Sequence, residues 1–256
     1  MASVHRSAAA GFAAGSATYV KGRPDYPAGL SQWLASELHL RHGKIVLDLG
    51  AGTGKFIGLL QSTGAKIVAV EPVAEMLGQL QQSHPDVASM AGAADRIPLD
   101  DASVDAVVCA QAFHWFATTD AIAEIHRVLK PGGVLGLVWN VRDETVGWVQ
   151  ALTRIMAPFE GNVPRYATMD WRRQFPAVGF GPLVGQTFPH GHTGSPADVI
   201  FNRVLSVSFI AELPRHLLDQ ITAEIQRLIQ NTPDLAGKDR VTFPYVTAAF
   251  SCTKRS

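Results

Sequence analysis

The stretch KIVLDLGAGTGKF, residues 44–56, decides the fold of this chain. Its apolar run at Ile45–Leu49 is interrupted only by Asp48 and is followed by the turn GAGTG. A short run that is β-branched at its start and closed by glycines is typical of a buried parallel strand. The glycines let the backbone approach a ligand closely, and from Thr53 the pattern becomes helical. A strand, a glycine turn and a helix predict a nucleotide-binding α/β unit with its ligand at the carboxyl end of the strand.

The spacing of the glycines bears on which nucleotide binds. A dinucleotide fingerprint runs G-x-G-x-x-G and holds its pyrophosphate on the helix N-terminus. Here the pattern is G-x-G-x-G, and Asp48 stands two residues before the first glycine. A carboxylate at that place would repel a pyrophosphate and suits a ligand with an ammonium or sulfonium charge. A phosphate-binding loop is excluded because Lys55 is not preceded by G-x-x-x-x-G.

A second strand, KIVAV at residues 66–70, ends on Glu71. An acid at the tip of the second strand can accept hydrogen bonds from both hydroxyl groups of a ribose. A solvated strand-end acid is the alternative. The distance of Glu71 from the glycine turn favours the ribose interpretation.

Four segments resemble the motifs of a known enzyme family. They are VLDLGAGTGKF at 46–56, VAVEPVAEML at 68–77, AADRIPLDDASVDAVVCAQAFHWF at 93–116 and EIHRVLKPGGVLGLVWN at 124–140. Their order and spacing are similar to those of the class I S-adenosylmethionine-dependent methyltransferases that act on small molecules. The segment YVKGRPDYP at 19–27 and the His114-Trp115 pair are similar to the trans-aconitate type of carboxyl methyltransferase. A more distant likeness is to the ubiquinone/menaquinone C-methyltransferases.

The resemblance implies an α/β fold with a Rossmann-like, doubly wound, seven-stranded sheet. This sheet would be mostly parallel with an antiparallel last strand, and a helical substrate cap would accompany it. S-adenosyl-L-methionine is the implied cofactor and S-adenosyl-L-homocysteine the product. Residues implied to bind the cofactor are Tyr19, Arg23, Asp48, Gly50, Ala51, Gly52, Gly54, Glu71, Pro72, Met76, Ala94, Asp95 and Gln111.

The turn at residues 92–95 would meet the adenine in this family, with an acid that accepts from the exocyclic amine. Many members have Gly-Asp-Ala-Glu there, whereas this chain has Gly-Ala-Ala-Asp. Asp95 is therefore the candidate partner of the adenine, and capping of the turn is the alternative role.

The acceptor is expected at the carboxyl ends of the fourth and fifth strands. His114 is the candidate catalytic residue, either as a general base with a pKa near 6.5 or as a neutral donor that orients the acceptor; a structural role is the third alternative. A carboxylate acceptor would need no base, and Arg23 or Arg142 would hold it. The residues predicted to bind the substrate are Tyr26, His114, Trp115, Asn140 and Arg142.

Periodicity predicts the remaining elements. Helices are expected at residues 30–40, 73–82, 121–129 and 144–159, and strands at 87–91, 104–110 and 134–139, with the KPGG sequence at 130–133 ending a helix. Near the C-terminus, strands are expected at 188–192 and 241–250, with helices at 196–207 and 214–229 that cap the substrate pocket. Asp105 is interpreted as structural.

The domain organisation follows from these elements. Residues 1–18 are predicted to be a flexible tail, and residues 19–256 a single methyltransferase domain. Within it, 19–43 form the N-terminal lid segment and helix, 44–142 the cofactor-binding core, and 143–256 the C-terminal part with the substrate-capping helices.

Composition limits the functional class. The 22 basic and 22 acidic residues balance, so nothing recruits nucleic acid or an anionic membrane, and no apolar run reaches the roughly 18 residues of a membrane span. His190 and His192 lack a third residue at a metal-ligand spacing, so no metal is predicted. A cytoplasmic monomer or homodimer with a small-molecule substrate is expected. A nucleotide-binding module without turnover that acts through a partner is also possible and, less favoured, an NAD-dependent oxidoreductase.

Overall fold

The computed structural model describes residues 22–255. The predicted tail at 1–18 and the predicted cofactor residue Tyr19 lie outside the described residues. Within the described range, no helix is long and apolar enough to cross a membrane.

A seven-stranded sheet forms the centre of the molecule, in the order β3-β2-β1-β4-β5-β7-β6. Strands β1 to β5 are parallel, and β7 runs antiparallel to both β5 and β6. This confirms the predicted doubly wound sheet with its antiparallel last strand. The strands are β1 (Ile45–Leu49), β2 (Lys66–Glu71), β3 (Ala88–Ala91), β4 (Val104–Ala110), β5 (Leu129–Arg142), β6 (Val184–Gly194) and β7 (Val241–Thr253).

Helices cover both faces of the sheet, and the last helices of the chain form a separate apolar cluster. They are α1 (Gly29–Ser36), α2 (Ile57–Gln61), α3 (Ala74–Ser83), α4 (Thr119–Val128), α5 (Gly147–Met156), α6 (Asn202–Leu205), α7 (Ser208–Ala211) and α8 (Arg215–Gln230). Because successive strand side chains point to opposite faces, Leu47 and Leu49 pack into the core with α4, whereas Val46 packs into the core with α1 and α2. Helices α5 to α8 build a third apolar cluster around Trp148, Phe243 and Tyr245.

Asp105 fastens three strands together at the end of the sheet away from the glycine turn. Its carboxylate accepts from the Ile45 backbone N–H at 3.0 Å, from Lys44 Nζ at 3.0 Å and from Lys130 Nζ at 2.8 Å. Burial alone would raise its pKa, but these hydrogen bonds lower the pKa to about 2. The structural interpretation of this residue agrees with those contacts.

Several predicted helices differ from the observed ones, including that predicted at 144–159, whose α-helix is Gly147–Met156. Helix α2 begins at Ile57 and not at Thr53, because Gly52 and Gly54 have φ of 58° and 85° and a right-handed helix cannot pass through such residues. Helix α1 ends at Ser36, although Leu38 and Leu40 beyond it are still buried. Residues 197–201 form a π-helical turn before α6 in place of a continuous α-helix.

Candidate active site

A cavity of about 280 Å³ opens at the carboxyl ends of the parallel strands. Its wall contains most of the residues predicted to bind cofactor and substrate. These are Arg23, Tyr26, Asp48, Gly50, Ala51, Gly52, Glu71, Pro72, Met76, Ala94, Asp95, Gln111, Trp115 and Asn140. The topology explains their convergence, since the ends of β1, β2, β4 and β5 meet at one edge of the sheet.

The glycine turn packs closely at Gly50, where a side chain is excluded. Gly50 has φ of 73°, and a Cβ atom there would lie 2.8 Å from the Cβ of Ala112. The turn is held to β2 because the N–H groups of Gly50 and Ala51 both donate to the Val70 carbonyl, at 2.8 and 3.2 Å. Gly54 does not line the cavity: a Cβ at Gly54 would lie 2.7 Å from the His84 ring, so this glycine serves the packing of the turn.

Asp48 lies fully buried at the end of β1 and lines the cavity. Neither of its carboxylate oxygens has a hydrogen-bond partner among the described residues. Burial, and secondarily the charge of Glu71, raise the pKa of Asp48 to about 7. A buried acid with unsatisfied oxygens is costly, and a cation in the cavity would relieve that cost.

Glu71 is held rigidly at the tip of β2. Its Oε2 accepts from the Gly52 N–H at 2.8 Å and its Oε1 from the Val73 N–H at 2.9 Å. Burial raises its pKa, and the two backbone donors oppose that effect. Each carboxylate oxygen can accept more than one hydrogen bond, so Glu71 keeps acceptor capacity toward the cavity.

Met76, Ala94 and Asp95 also line the cavity. Met76 and Ala94 are buried, and Asp95 is exposed. Asp95 is therefore accessible to a ligand group that reaches this end.

Gln111 follows β4 with φ of 59°, which is uncommon for a residue with a side chain and is concentrated at functional sites. The N–H of Gln111 donates to the Val138 carbonyl at 2.8 Å. This contact ties the β4 end to β5 and sets the direction of the chain into the His114-Trp115 turn.

His114 is not in the wall of the main cavity; it lines a neighbouring pocket together with Trp115 and Thr118, which belong to both. Its Nδ1 accepts from Trp139 Nε1 at 3.1 Å. Burial first, and the charge of Arg23 second, lower the His114 pKa to about 3. The imidazole is neutral, and because Nδ1 is an acceptor, the ring proton sits on Nε2.

Arg142 also lies outside the cavity wall. Its Nη1 is 3.4 Å from the sulfur of Met156, and burial, followed by the charge of Arg203, lowers its pKa to about 10. Arg142 is therefore not among the residues that a ligand in this cavity would contact directly.

The segment at residues 22–27 crosses the mouth of the cavity. Arg23 donates from Nη2 to the Ser206 carbonyl at 3.2 Å, and the Asp25 carbonyl accepts from Asn140 Nδ2 at 2.9 Å. Lys55 forms an ion pair with Asp25 at 3.3 Å and donates to the Arg23 carbonyl. The segment is thus tied to the glycine turn on one side and to the C-terminal helices on the other.

Five charged or polar residues of the cavity wall were not predicted from the sequence: Thr53, Lys55, Thr118, Arg203 and Tyr245. Lys55 adjoins the glycine turn, but only the fold reveals its partner Asp25. Arg203 and Tyr245 come from regions where no motif was recognised. Nothing in their local spacing marks them.

Comparison with known proteins agrees with this geometry. The family model described as a methyltransferase domain matches residues 47–137. An uncharacterised methyltransferase-like protein of Schizosaccharomyces pombe is 40% identical over 239 residues, which cover 93% of each chain. The protein belongs to the class I S-adenosylmethionine-dependent methyltransferases. Its methyl donor is accordingly S-adenosylmethionine.

Two further similarities extend over most of the methyltransferase. A malonyl-[acyl-carrier protein] O-methyltransferase of Methylococcus capsulatus is 31% identical over 214 residues, which cover 79% of this chain and 77% of that protein. Among solved structures, a putative type II methyltransferase of Anaeromyxobacter dehalogenans aligns with a TM-score of 0.65 at 22% identity. That alignment covers 91% of this chain and 97% of the other, and it supports the fold.

Proposed function

We propose that this methyltransferase transfers the methyl group to an oxygen atom of a small-molecule acceptor, and that the preferred nucleophile is a carboxylate. The observation that carries the proposal is the state of His114, whose Nδ1 is occupied by Trp139 and whose pKa is lowered to about 3. A group with so low a pKa is a weak base at neutral pH. A carboxylate acceptor needs no base, because it is already ionised.

The residues around the glycine turn fit the methyl donor. The unsatisfied carboxylate of Asp48 suits the donor's ammonium group. Glu71, fixed by two backbone N–H groups, suits the two ribose hydroxyls, and Asp95 suits the adenine amine. The backbone of Gly50, Ala51 and Gly52 gives the donor a close approach to the end of β1, with Pro72, Met76 and Ala94 as apolar wall.

The cofactor supplies an electrophilic methyl carbon attached to a sulfonium. With the donor bound, the acceptor carboxylate would give an electron pair to that carbon while the carbon–sulfur bond broke and its pair remained on sulfur. The transfer would give a methyl ester and a neutral thioether, with no proton released. The protein's own contribution is to hold the nucleophile in line and near the methyl carbon, which supplies much of the rate acceleration.

The roles of the acceptor-side residues follow from this chemistry. Trp115 and Tyr26 provide aromatic walls, and Asn140 lines the cavity while its amide donates to the Asp25 carbonyl. His114 lines the neighbouring pocket, and with its proton on Nε2 it is an orienting donor for an acceptor that extends into that pocket. The relative of Methylococcus capsulatus, an O-methyltransferase by name, also favours transfer to oxygen.

A hydroxyl acceptor is the second candidate, since it is an oxygen nucleophile as well. It would require a base, and His114 could serve only if the hydrogen bond from Trp139 were broken, because Nδ1 is the ring nitrogen without a proton. A carboxylic acid is therefore the better first substrate to test.

The experiment is a methyl-transfer assay with labelled S-adenosylmethionine and matched pairs of acids, alcohols and the corresponding amides. The proposal predicts ester formation on acids that persists in His114→Ala with a loss of rate that does not depend on pH. Transfer only to alcohols or carbon acids, or a pH profile that disappears in His114→Ala, would contradict it.

A binding experiment distinguishes a methyltransferase from a binding module and from an NAD-dependent oxidoreductase. Saturation with S-adenosylhomocysteine at 100 times its dissociation constant should stabilise the native protein by about 2.7 kcal/mol, and NAD should not. Binding of S-adenosylhomocysteine without turnover of any acceptor would favour a binding module. A cytoplasmic location and a monomeric or homodimeric state stay predictions.

A further inference from the structure

The wall of the cavity contains an arginine that takes no part in the methyl-transfer step. Arg203 belongs to α6 and lines the cavity. Its Nε donates to the hydroxyl oxygen of Tyr245 at 3.0 Å. Its Nη1 is buried and has no hydrogen-bond partner among residues 22–255.

The guanidinium of Arg203 has no acidic side chain beside it among the described residues. Within the described part of the chain, no carboxylate lies within 4.0 Å of it. Its charged neighbours include a second arginine, since the charge of Arg203 helps to lower the pKa of Arg142. A cation withdrawn from water without an opposite charge is unfavourable, so this position favours an anionic ligand.

Most charged residues of the cavity wall are grouped by sign. The acids Asp48, Glu71 and Asp95 follow or end β1 to β3, and Lys55, which pairs with Asp25, adjoins the glycine turn. The two arginines, Arg23 and Arg203, come from the 22–27 segment and α6. A ligand with a cationic and an anionic part would meet complementary charges at both.

The two arginines are linked by the way the segment packs on the C-terminal helices. Arg23 donates to the Ser206 carbonyl, and the Ser206 hydroxyl donates to the Arg203 carbonyl at 3.0 Å. A Cβ at Gly22 would lie 2.6 Å from the Asn202 backbone. This backbone-to-backbone contact holds the segment against the helix that carries Arg203.

We propose that Arg203, positioned by Tyr245, is the residue that selects the acceptor by binding a carboxylate of it. A guanidinium can bind the two oxygens of an oxyanion in a fixed fork, so a planar carboxylate is the group that fits. This inference rests on the proposed function, since it names the substrate class of the same site. Arg203 contacts the acceptor and determines specificity, and the Tyr245 hydroxyl positions the guanidinium.

The first test measures binding rather than turnover, so that it stays informative if no methyl acceptor is found. The full chain, saturated with S-adenosylhomocysteine, is titrated calorimetrically with glutarate, glutaramide and inorganic phosphate. Glutarate should bind, and glutaramide should not. Tighter binding of phosphate than of glutarate would overturn the carboxylate assignment, and binding of none of the three would overturn the anion site.

The variants are Arg203→Gln, Arg203→Lys and Tyr245→Phe, with the exposed Arg215→Gln as the matched control. Loss of one charge-assisted contact should weaken glutarate binding about 10- to 100-fold in Arg203→Gln. Arg203→Lys and Tyr245→Phe should weaken it less, and Arg215→Gln not at all. Arg203→Lys keeps the charge and tests whether the guanidinium fork is needed. Thermal melting of each variant shows whether a loss of binding comes from a folding defect.

The same variants distinguish this inference from a role of Arg203 toward the cofactor. S-adenosylhomocysteine should bind Arg203→Gln as tightly as it binds the wild type. A drop in that affinity with unchanged glutarate binding would assign Arg203 to the carboxylate of the cofactor and overturn the inference. With an active acceptor in hand, Arg203→Gln should raise KM far more than it lowers kcat, and an unchanged KM would also overturn it.

Discussion

Asp48 makes cofactor binding depend on pH, in a direction that the structure fixes. The carboxyl group is fully buried, and its pKa is raised to about 7 in the ligand-free protein. A cationic ammonium group beside it favours the ionised form. Binding must therefore expel a proton whenever the pH is near or below 7.

The size of the effect follows from that pKa. If only the ionised form binds, the apparent dissociation constant is multiplied by about 2 at pH 7 and by about 11 at pH 6, so affinity falls about fivefold over that unit. About half a proton should be released per ligand at pH 7. The dissociation constants are compared only below pH 7.5, because the α-amino group of the ligand itself begins to lose its proton above that pH.

Stability of the ligand-free protein should change in the opposite direction. An acid with a native pKa above its unfolded value binds an extra proton in the native state between about pH 4 and 7. Stability is therefore lost as the pH rises through that interval. With the shift of the Asp48 pKa from 3.8 to about 7, the free energy of unfolding lost over that interval is on the order of 4 kcal/mol. Asp48→Asn should remove this dependence and make the ligand-free protein more stable at pH 7.

The assay is calorimetric titration with S-adenosylhomocysteine at pH 6.0, 6.5 and 7.0 in two buffers of different ionisation enthalpy. Asp48→Asn should bind more weakly and without proton release. Asp86→Asn, which removes an exposed acid, should behave as the wild type does. Equal proton release in Asp48→Asn and wild type would refute the reasoning, because the proton would then come from another group.

Three further substitutions test other parts of the site. Glu71→Gln should lose one of the two hydrogen bonds from backbone N–H groups and about 1–3 kcal/mol of stability. In a melting experiment, S-adenosylhomocysteine should stabilise this variant less than the wild type. An unchanged stabilisation by the ligand would argue against the ribose contact. His114→Ala should lower kcat by the same factor from pH 6 to pH 9, since its pKa is near 3, whereas a base would give a sigmoid profile. Gly50→Ala should cost about 1–3 kcal/mol and abolish cofactor binding because of its positive φ and the 2.8 Å contact with the Ala112 Cβ; Gly58→Ala, with nothing within 4 Å of its Cβ, should be neutral or stabilising.

The sheet could be predicted from the sequence because its signals are local. β1, β2 and β4 are short buried runs, and the ends of β1 and β2 are marked by Gly50 and Glu71. The helix start at Thr53 was wrong for a reason that is also local: the GAGTG turn requires positive φ at Gly52 and Gly54, and such residues delay the helix.

The state of His114 could not be predicted, since it depends on a residue 25 positions away. The sequence suggests an ordinary imidazole pKa, but Trp139 on β5 donates to Nδ1, and burial lowers the pKa to about 3. Pairing of β4 with β5 brings these two residues together. Whether a histidine is a base is therefore decided by tertiary contacts that the spacing of motifs does not contain.

The acids and the arginines of the cavity wall also differ in how far local sequence signals predict their positions. The acids follow parallel strands whose ends must converge, so the order of the strands already places Asp48 and Glu71 together. Arg23 and Arg203 lie 180 positions apart in the chain and reach the cavity through a segment and a short helix whose placement against the sheet no motif predicts. A change at Arg203 would leave the sheet and the glycine turn intact. The acceptor can thus be altered in this fold while the cofactor site stays the same, and for that reason the sequence indicates the methyl donor more clearly than the molecule that receives the methyl group.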